Sequence, residues 1–368
     1  MKFRAAVLHR PREPMTIEEV ELGDLMPGDA LVKIRAAGLC HTDLEVIEGQ
    51  LRYPVPIVLG HEAAGTVEAL GPGVSGLKLG DPVVLSWNPH CGHCFYCERD
   101  QPILCESYLR LGPQAVQFDG TTRLSLGGRP VHHLMFLGAF AEYCVVPAEC
   151  AVKVPIEIPF DRACLIGCGV MTGVGAATRI ARVQWGASAV VIGCGAVGLS
   201  AVQGARLAGA GRIVAVDLDA RKLELAAKLG ATDTIDAAQG DPLAAIRALT
   251  HGRGADHVFE AAGRAETFRL SVEAARPGGQ IVWLGKVDVD AEVAFRWGAL
   301  MGEKKIVRSS YGGARPQRDF PLLAEAYLDG RLHLDELVSR RIALSDINDG
   351  FAALKRGEVV RAVVTFDA

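Results

Sequence analysis

The sequence predicts an α/β fold, a doubly wound parallel sheet joined to a second, β-rich domain. Two textures carry that expectation. Residues 1–150 read as short β-rich runs broken by Gly and Pro, whereas strand and helix signals alternate from residue 170 onward. A chain of 368 residues, 49% apolar and 22% charged, is long enough for two domains with sizeable cores.

The elements follow in order. Lys2-Phe3-Arg4-Ala5-Ala6-Val7-Leu8 reads as a first strand, since Arg10 and Pro11 come too soon for a signal peptide. Further strand signals are Ala30 to Arg35, Ala64 to Leu70 and Ala141 to Val146. Mixed Gly, Pro and polar character between Leu109 and Gly138 predicts a long surface excursion. Gly173 to Arg182 reads as helix. Strand Ala189 to Ile192, helix Val197 to Leu207, strand Arg212 to Val216 and helix Arg221 to Lys228 then alternate, as crossover units of a parallel sheet do. Strands at His257 to Phe259 and Gln280 to Leu284, a helix at Phe320 to Leu328 and a strand at Arg361 to Phe366 complete the chain.

A net charge of −4 without a long basic run gives no support for nucleic-acid binding. No apolar run is expected to reach the roughly 18 to 20 residues of a membrane span. The expected setting is cytoplasmic. There, clustered cysteines point to metal or catalysis rather than to disulfides. Four of the ten lie within fifteen residues, as Cys91-x2-Cys94-x2-Cys97-x7-Cys105. Four thiolates so spaced can close a tetrahedral zinc shell with no position left for chemistry, which makes the site structural. His90 and His93 are then bystanders.

Gly193-Cys194-Gly195-Ala196-Val197-Gly198 matches G-x-G-x-x-G. Alone the match is weak, but it follows an apolar strand, opens a helix and precedes Asp217, which ends the next strand. The first glycine permits the turn, the second lets the backbone approach a pyrophosphate and the third lets helix pack on strand. Asp217 can accept from a ribose 2′-hydroxyl and would repel a 2′-phosphate, which favours NAD. Arg221 and Lys222 stand close by in the sequence.

Three further pieces are each weak alone: Gly38-Leu39-Cys40-His41-Thr42-Asp43, Gly60-His61-Glu62, and Gly167-Cys168-Gly169. In order, together with the cysteine lobe and the glycine motif, they resemble the zinc-containing medium-chain alcohol dehydrogenase family from the first strand to the last. The resemblance implies a Rossmann-type domain over 171–311 and a discontinuous, β-rich, GroES-like catalytic domain over 1–170 and 312–368, with the structural-zinc lobe at 88–106. It implies two zinc ions per subunit and NAD. Cys40, His61 and Cys168 would hold the catalytic zinc, Glu62 would stand behind it, and Asp43 would accept the other N–H of His61. Thr42 would take the alcohol proton, with Glu45 where many relatives carry the histidine that ends a proton relay. His41, Lys222 and Arg361 would stand near the cofactor with Gly193, Gly195, Val197, Gly198 and Asp217. Trp87, Phe140, Leu284 and Tyr311 are the implied walls of the substrate pocket.

The implied reaction is oxidation of a primary alcohol with a hydrophobic or aromatic body, by hydride transfer from its zinc-held alkoxide to NAD, and the reverse reduction. The 109–138 stretch resembles that of dimeric relatives and of thiol-dependent formaldehyde dehydrogenases, which implies a homodimer. One alternative is therefore oxidation of an S-hydroxymethyl thiol adduct of formaldehyde, although residues 48–59 lack the acidic pair those enzymes direct at glutathione. A catalytically silent NAD-binding protein is the alternative of another class.

Overall fold

The computed structural model describes residues 1–366, and the chain divides into two compact units, 1–168 with 315–368, and 169–314.

The second unit is built on six parallel strands. In chain order these are β1 (Ser188–Ile192), β2 (Arg212–Asp217), β3 (Asp233–Asp236), β4 (Ala255–Glu260), β5 (Ala275–Trp283) and β6 (Lys305–Arg308). They lie in the order β3-β2-β1-β4-β5-β6, the arrangement of a dinucleotide-binding doubly wound sheet. Ala189, Val190, Val191 and Ile192 of β1 are all buried, the signature of a central parallel strand covered on both faces. Helix Ala196–Leu207 packs through its small residues. A Cβ on Gly204 would lie 2.8 Å from Cα of Val174, and one on Gly173 would lie 2.3 Å from the carbonyl of Val197.

The first unit holds a closed barrel and a seven-stranded sheet. Lys2–Leu8, Thr16–Leu22, Leu124–Leu126, Arg129–His133 and Ile57–Val58 form the barrel. In the sheet, Asp29–Gly38 pairs antiparallel with Ala63–Leu70, with Tyr143–Pro147 and with the last strand, Arg361–Thr365. The chain's end thus rejoins its beginning. Ile34, Ala37, Leu39, Leu85, Phe140 and Val364 belong to the core beneath.

Two expectations need correction. The stretch from Leu109 to Gly138 is not a surface excursion, because two of its segments are barrel strands. Leu111, Val116 and Phe136 form a buried cluster of their own, and Arg123 is buried against Asp29 at 2.6 Å. Polar residues of this stretch, Arg123 and Gln117 among them, are turned inward, and its glycine and polar content made it read as surface. The expectation about apolar runs also fails in part. Phe160–Ile180, a 21-residue helical stretch with two π segments, is long and apolar enough to span a membrane. With 78% of its window buried within the protein, that apolarity serves the core. The helix also begins well before Gly173.

Candidate active site

In the first unit three distant segments converge. Strand Asp29–Gly38 delivers Cys40 to the position preceding helix His41–Ile47. His61 stands between Ile57–Val58 and Ala63–Leu70, after a turn that only glycine suits: Gly60 has φ 97°, and a Cβ there would lie 2.7 Å from the backbone nitrogen of Phe140. Cys168 comes from the π segment Ile166–Val170. The ligand atoms of Cys40, His61 and Cys168 all lie within 4.8 Å of one another.

Neighbouring charges prepare these ligands. Asp43, fully buried, accepts the Gly60 N–H at 2.9 Å and faces Nδ1 of His61 at 3.2 Å. That contact fixes the tautomer and leaves Nε2 for a metal. A hydrogen bond from the Cys168 thiol, then the charges of Arg361 and His61, hold Cys40 well below the ordinary thiol range. The Cys40 partner, then burial, raise Cys168, the sign of two thiols sharing one proton. Two thiolates and an imidazole suit zinc, and a three-ligand set leaves a tetrahedral corner for a reactant.

Glu62 lies outside the group of three. Its Oε2 accepts Nε of Arg361 at 3.0 Å, and Nη2 of Arg361 reaches Sγ of Cys40 at 3.8 Å, all in the interior. Gly38 makes room for this pair, since a Cβ there would lie 2.8 Å from the same carboxylate oxygen. This pairing was not foreseen from the sequence. The signal was a charge at the head of an otherwise apolar strand, Arg361-Ala362-Val363-Val364.

Thr42 and Glu45 are half-buried on helix His41–Ile47, three residues apart and so on one face, whereas His41 is exposed. Trp87 is half-buried and its ring lies 6.1 Å from that of Tyr108, which in turn stacks on Phe136 at 5.7 Å. Burial first, and then neighbours that include Cys168, push the Tyr108 phenol well above its ordinary range. Sequence reasoning overlooked Tyr108. Phe140 stands in the core, edge-on to Phe351 at 5.7 Å.

The cysteine lobe is separate. Sγ atoms of Cys91, Cys94, Cys97 and Cys105 all lie within 4.8 Å of one another. The N–H of Cys91 points at Sγ of Cys105 (3.2 Å) and that of Glu106 at Sγ of Cys94 (3.5 Å). Hydrogen bonds from the backbone of Cys97 and Glu106 bring Cys94 down to about 6, as a thiolate ligand requires. His93 is exposed and turned to its own loop, with Nδ1 2.7 Å from the carbonyl of Cys91.

In the second unit the glycine-rich turn joins β1 to helix Ala196–Leu207. Gly193 has φ 92°, and a Cβ on Gly198 would lie 1.8 Å from the carbonyl of Gly193. A Cβ on Gly195 would meet nothing within 4 Å among the described residues, the open side a pyrophosphate needs. Val197 lies in the first turn of the helix. Asp217 ends β2 with its carboxylate fixed by the N–H groups of Cys194 (2.6 Å), Leu218 (2.8 Å) and Asp219 (3.0 Å). Arg221 is paired with Asp219 at 2.8 Å, and Lys222 is half-buried beside it. Leu284 and Tyr311 are both buried within this unit.

These features agree with the comparisons. Residues 26–156 match the family model of the alcohol dehydrogenase GroES-like domain, and residues 196–328 that of the zinc-binding dehydrogenases. The chain is 37% identical to S-(hydroxymethyl)glutathione dehydrogenase of Escherichia coli O1:K1 / APEC, over 100% of both chains. Among solved structures it is similar to an alcohol dehydrogenase zinc-binding domain protein from Burkholderia ambifaria (TM-score 0.96, 35% identity). It is likewise similar to benzyl alcohol dehydrogenase from Acinetobacter calcoaceticus (TM-score 0.95, 32% identity), each covering 100% of both chains. The chain belongs to the zinc-containing medium-chain alcohol dehydrogenase family, oxidoreductases that work with zinc and a nicotinamide dinucleotide.

Proposed function

We propose that the protein oxidises a primary alcohol with an aromatic or otherwise hydrophobic body to its aldehyde, with NAD, and catalyses the reverse reduction. The observation that carries this reading is the convergence of Cys40, His61 and Cys168, with the aromatic pair Trp87 and Tyr108 in the same unit. Flat apolar rings such as these suit an aromatic carbinol.

When bound, zinc supplies Lewis acidity to the alcohol oxygen, and the dinucleotide supplies the hydride acceptor. Cys40, His61 and Cys168 hold the metal, Asp43 orients His61, and Arg361 keeps Glu62 neutralised behind them. Thr42, two residues beyond Cys40, takes the alcohol proton, and Glu45, on the same helix face, relays it to solvent. Gly193, Gly195, Val197 and Gly198 seat the pyrophosphate, while Asp217 takes the adenosine ribose. His41 and Lys222 lie near the cofactor in this reading, and Leu284 and Tyr311 keep the pocket-lining role that the resemblance implies. We expect a cytoplasmic homodimer.

A second reading, oxidation of a thiol adduct of formaldehyde, draws on the similarity to S-(hydroxymethyl)glutathione dehydrogenase. Residues 49–56 carry no carboxylate that could meet a glutathione amine. Assaying NADH formation with benzyl alcohol, and with formaldehyde plus and minus glutathione, separates the two. Turnover of benzyl alcohol without thiol is expected, and activity seen only with formaldehyde and glutathione would overturn the proposal. For the cofactor, Asp217→Gly is expected to narrow the NAD-over-NADP ratio of kcat/KM about tenfold, as loss of roughly 1.4 kcal/mol of charge repulsion implies. An unchanged ratio would remove Asp217 from that role.

A further inference from the structure

Glu260, the last residue of β4, is fully buried, yet it neither joins a metal group nor forms an ion pair among the described residues. Its Oε1 accepts three hydrogen bonds, from the N–H groups of Ala262 (2.9 Å) and Gly263 (2.7 Å) and from the hydroxyl of Thr267 (2.7 Å). Its carbonyl accepts two more, from Leu284 (2.8 Å) and Gly285 (3.0 Å). Among the described residues no hydrogen bond reaches Oε2.

The surroundings leave this residue no slack. A Cβ on Gly285 would lie 2.4 Å from Oε2, one on Gly263 (φ 69°) 2.5 Å from the carbonyl of Lys286, and one on Gly193 2.7 Å from the nitrogen of Ala262. Glu260 therefore ties the turn after β4 to the step after β5, and the first glycine of the nucleotide motif packs directly on that turn. All three segments stand at the carboxyl ends of strands. The crevice outside β1 and β4, where the strand order reverses, is the ligand position in such sheets.

We propose that Glu260 is a positioning residue for the dinucleotide: it holds residues 261–263 and 284–285 in the arrangement that receives the cofactor beside the glycine-rich turn. The inference rests on the reading that Gly193 to Gly198 seat that cofactor. Burial, opposed by the Thr267 hydroxyl and the backbone N–H donors, raises this carboxyl above its ordinary range, in keeping with a group kept in place for geometry rather than for charge.

NADH binding, followed by fluorescence titration alongside thermal melting and zinc content, tests this directly. Glu260→Ala is expected to weaken NADH at least about tenfold while zinc content stays at the wild-type value. Glu260→Gln, which keeps an acceptor oxygen, is expected to recover most of that loss. Thr267→Val, which removes one of the three donors, should weaken NADH by about threefold. An NADH Kd within about twofold of wild type in folded Glu260→Ala, with only the melting temperature lowered, would reduce Glu260 to a structural cap. Should that variant not fold, an unchanged Kd in Thr267→Val would overturn the positioning role in the same way. Wild-type protein that binds neither NADH nor NADPH would overturn the reading of the glycine-rich turn itself, and this inference with it.

Discussion

The two metal groups of the first unit are made from the same kind of ligand and built in opposite ways. The four sulfurs of the lobe come from fifteen consecutive residues, with only Cys105 buried, and their partners are backbone N–H groups of the same loop. The three ligands of the other group come from segments up to 128 positions apart (168 − 40), and their partners are buried charges, Asp43 on the helix that Cys40 precedes and Arg361 on the last strand. A loop that closes on its own metal stabilises itself and saturates the ion, whereas convergence of strand, turn and helix leaves a corner open and surrounds it with charges that tune it. The first arrangement suits structure and the second chemistry.

That contrast can be broken by substitution. The largest effect is expected from Cys40→Ser. Removal of a catalytic ligand should lower kcat by about 1,000-fold or more, the equivalent of the several kcal/mol a Lewis acid contributes, while circular dichroism and NADH binding stay near wild type. Retained wild-type turnover would show that the two groups do not differ in the way described.

Arg361→Leu sharpens the same boundary. It removes the guanidinium paired with the buried Glu62 carboxylate and should cost about 3 to 5 kcal/mol of stability, read by urea denaturation. Loss of less than about 1 kcal/mol would mean that Glu62 finds another partner. Cys97→Ser should do the reverse of Cys40→Ser. It should lower the melting temperature by roughly 5 °C or more, with kcat of the surviving folded protein kept within about threefold.

The smallest expected effect, visible only in acid, concerns His133 of the barrel, remote from both groups in sequence. Both its ring nitrogens are buried without hydrogen-bond partners among the described residues. Burial, then the charges of His132 and Arg123, hold the imidazole at about 3. The folded value lies below the unfolded one, so the unfolded chain binds the extra proton. Stability is therefore unaffected above the unfolded value near 6.5 and declines as pH falls toward 3. Between about pH 7 and about pH 4.5 this amounts to about 2 to 3 kcal/mol. His133→Leu should flatten the melting temperature across that window relative to wild type, and parallel curves would discount the group.

What could be read in the sequence follows the same division between local and convergent. The four-cysteine spacing and the strand–glycine–helix motif were legible directly, because their geometry is set within a few turns of chain. The alternation after residue 170 likewise announced the parallel sheet. Cys40, His61 and Cys168 could be joined only by resemblance, since nothing local says that three separate segments meet. Less visible still were pairs made by tertiary packing: Arg361 with Glu62, Arg123 with Asp29, and Tyr108 on Phe136. Each is a polar or aromatic residue whose partner lies far along the chain. Glycine and polar content made 109–138 look exposed for the same reason, although it supplies two barrel strands.

The division of duties between the two metal groups is tested most directly by counting zinc per chain with native mass spectrometry. Two ions are expected in the wild type, and one in the double variant Cys40→Ser, His61→Ala, which should be folded but inactive. A single zinc in the wild type, or an inactive double variant that still carries two, would contradict that division.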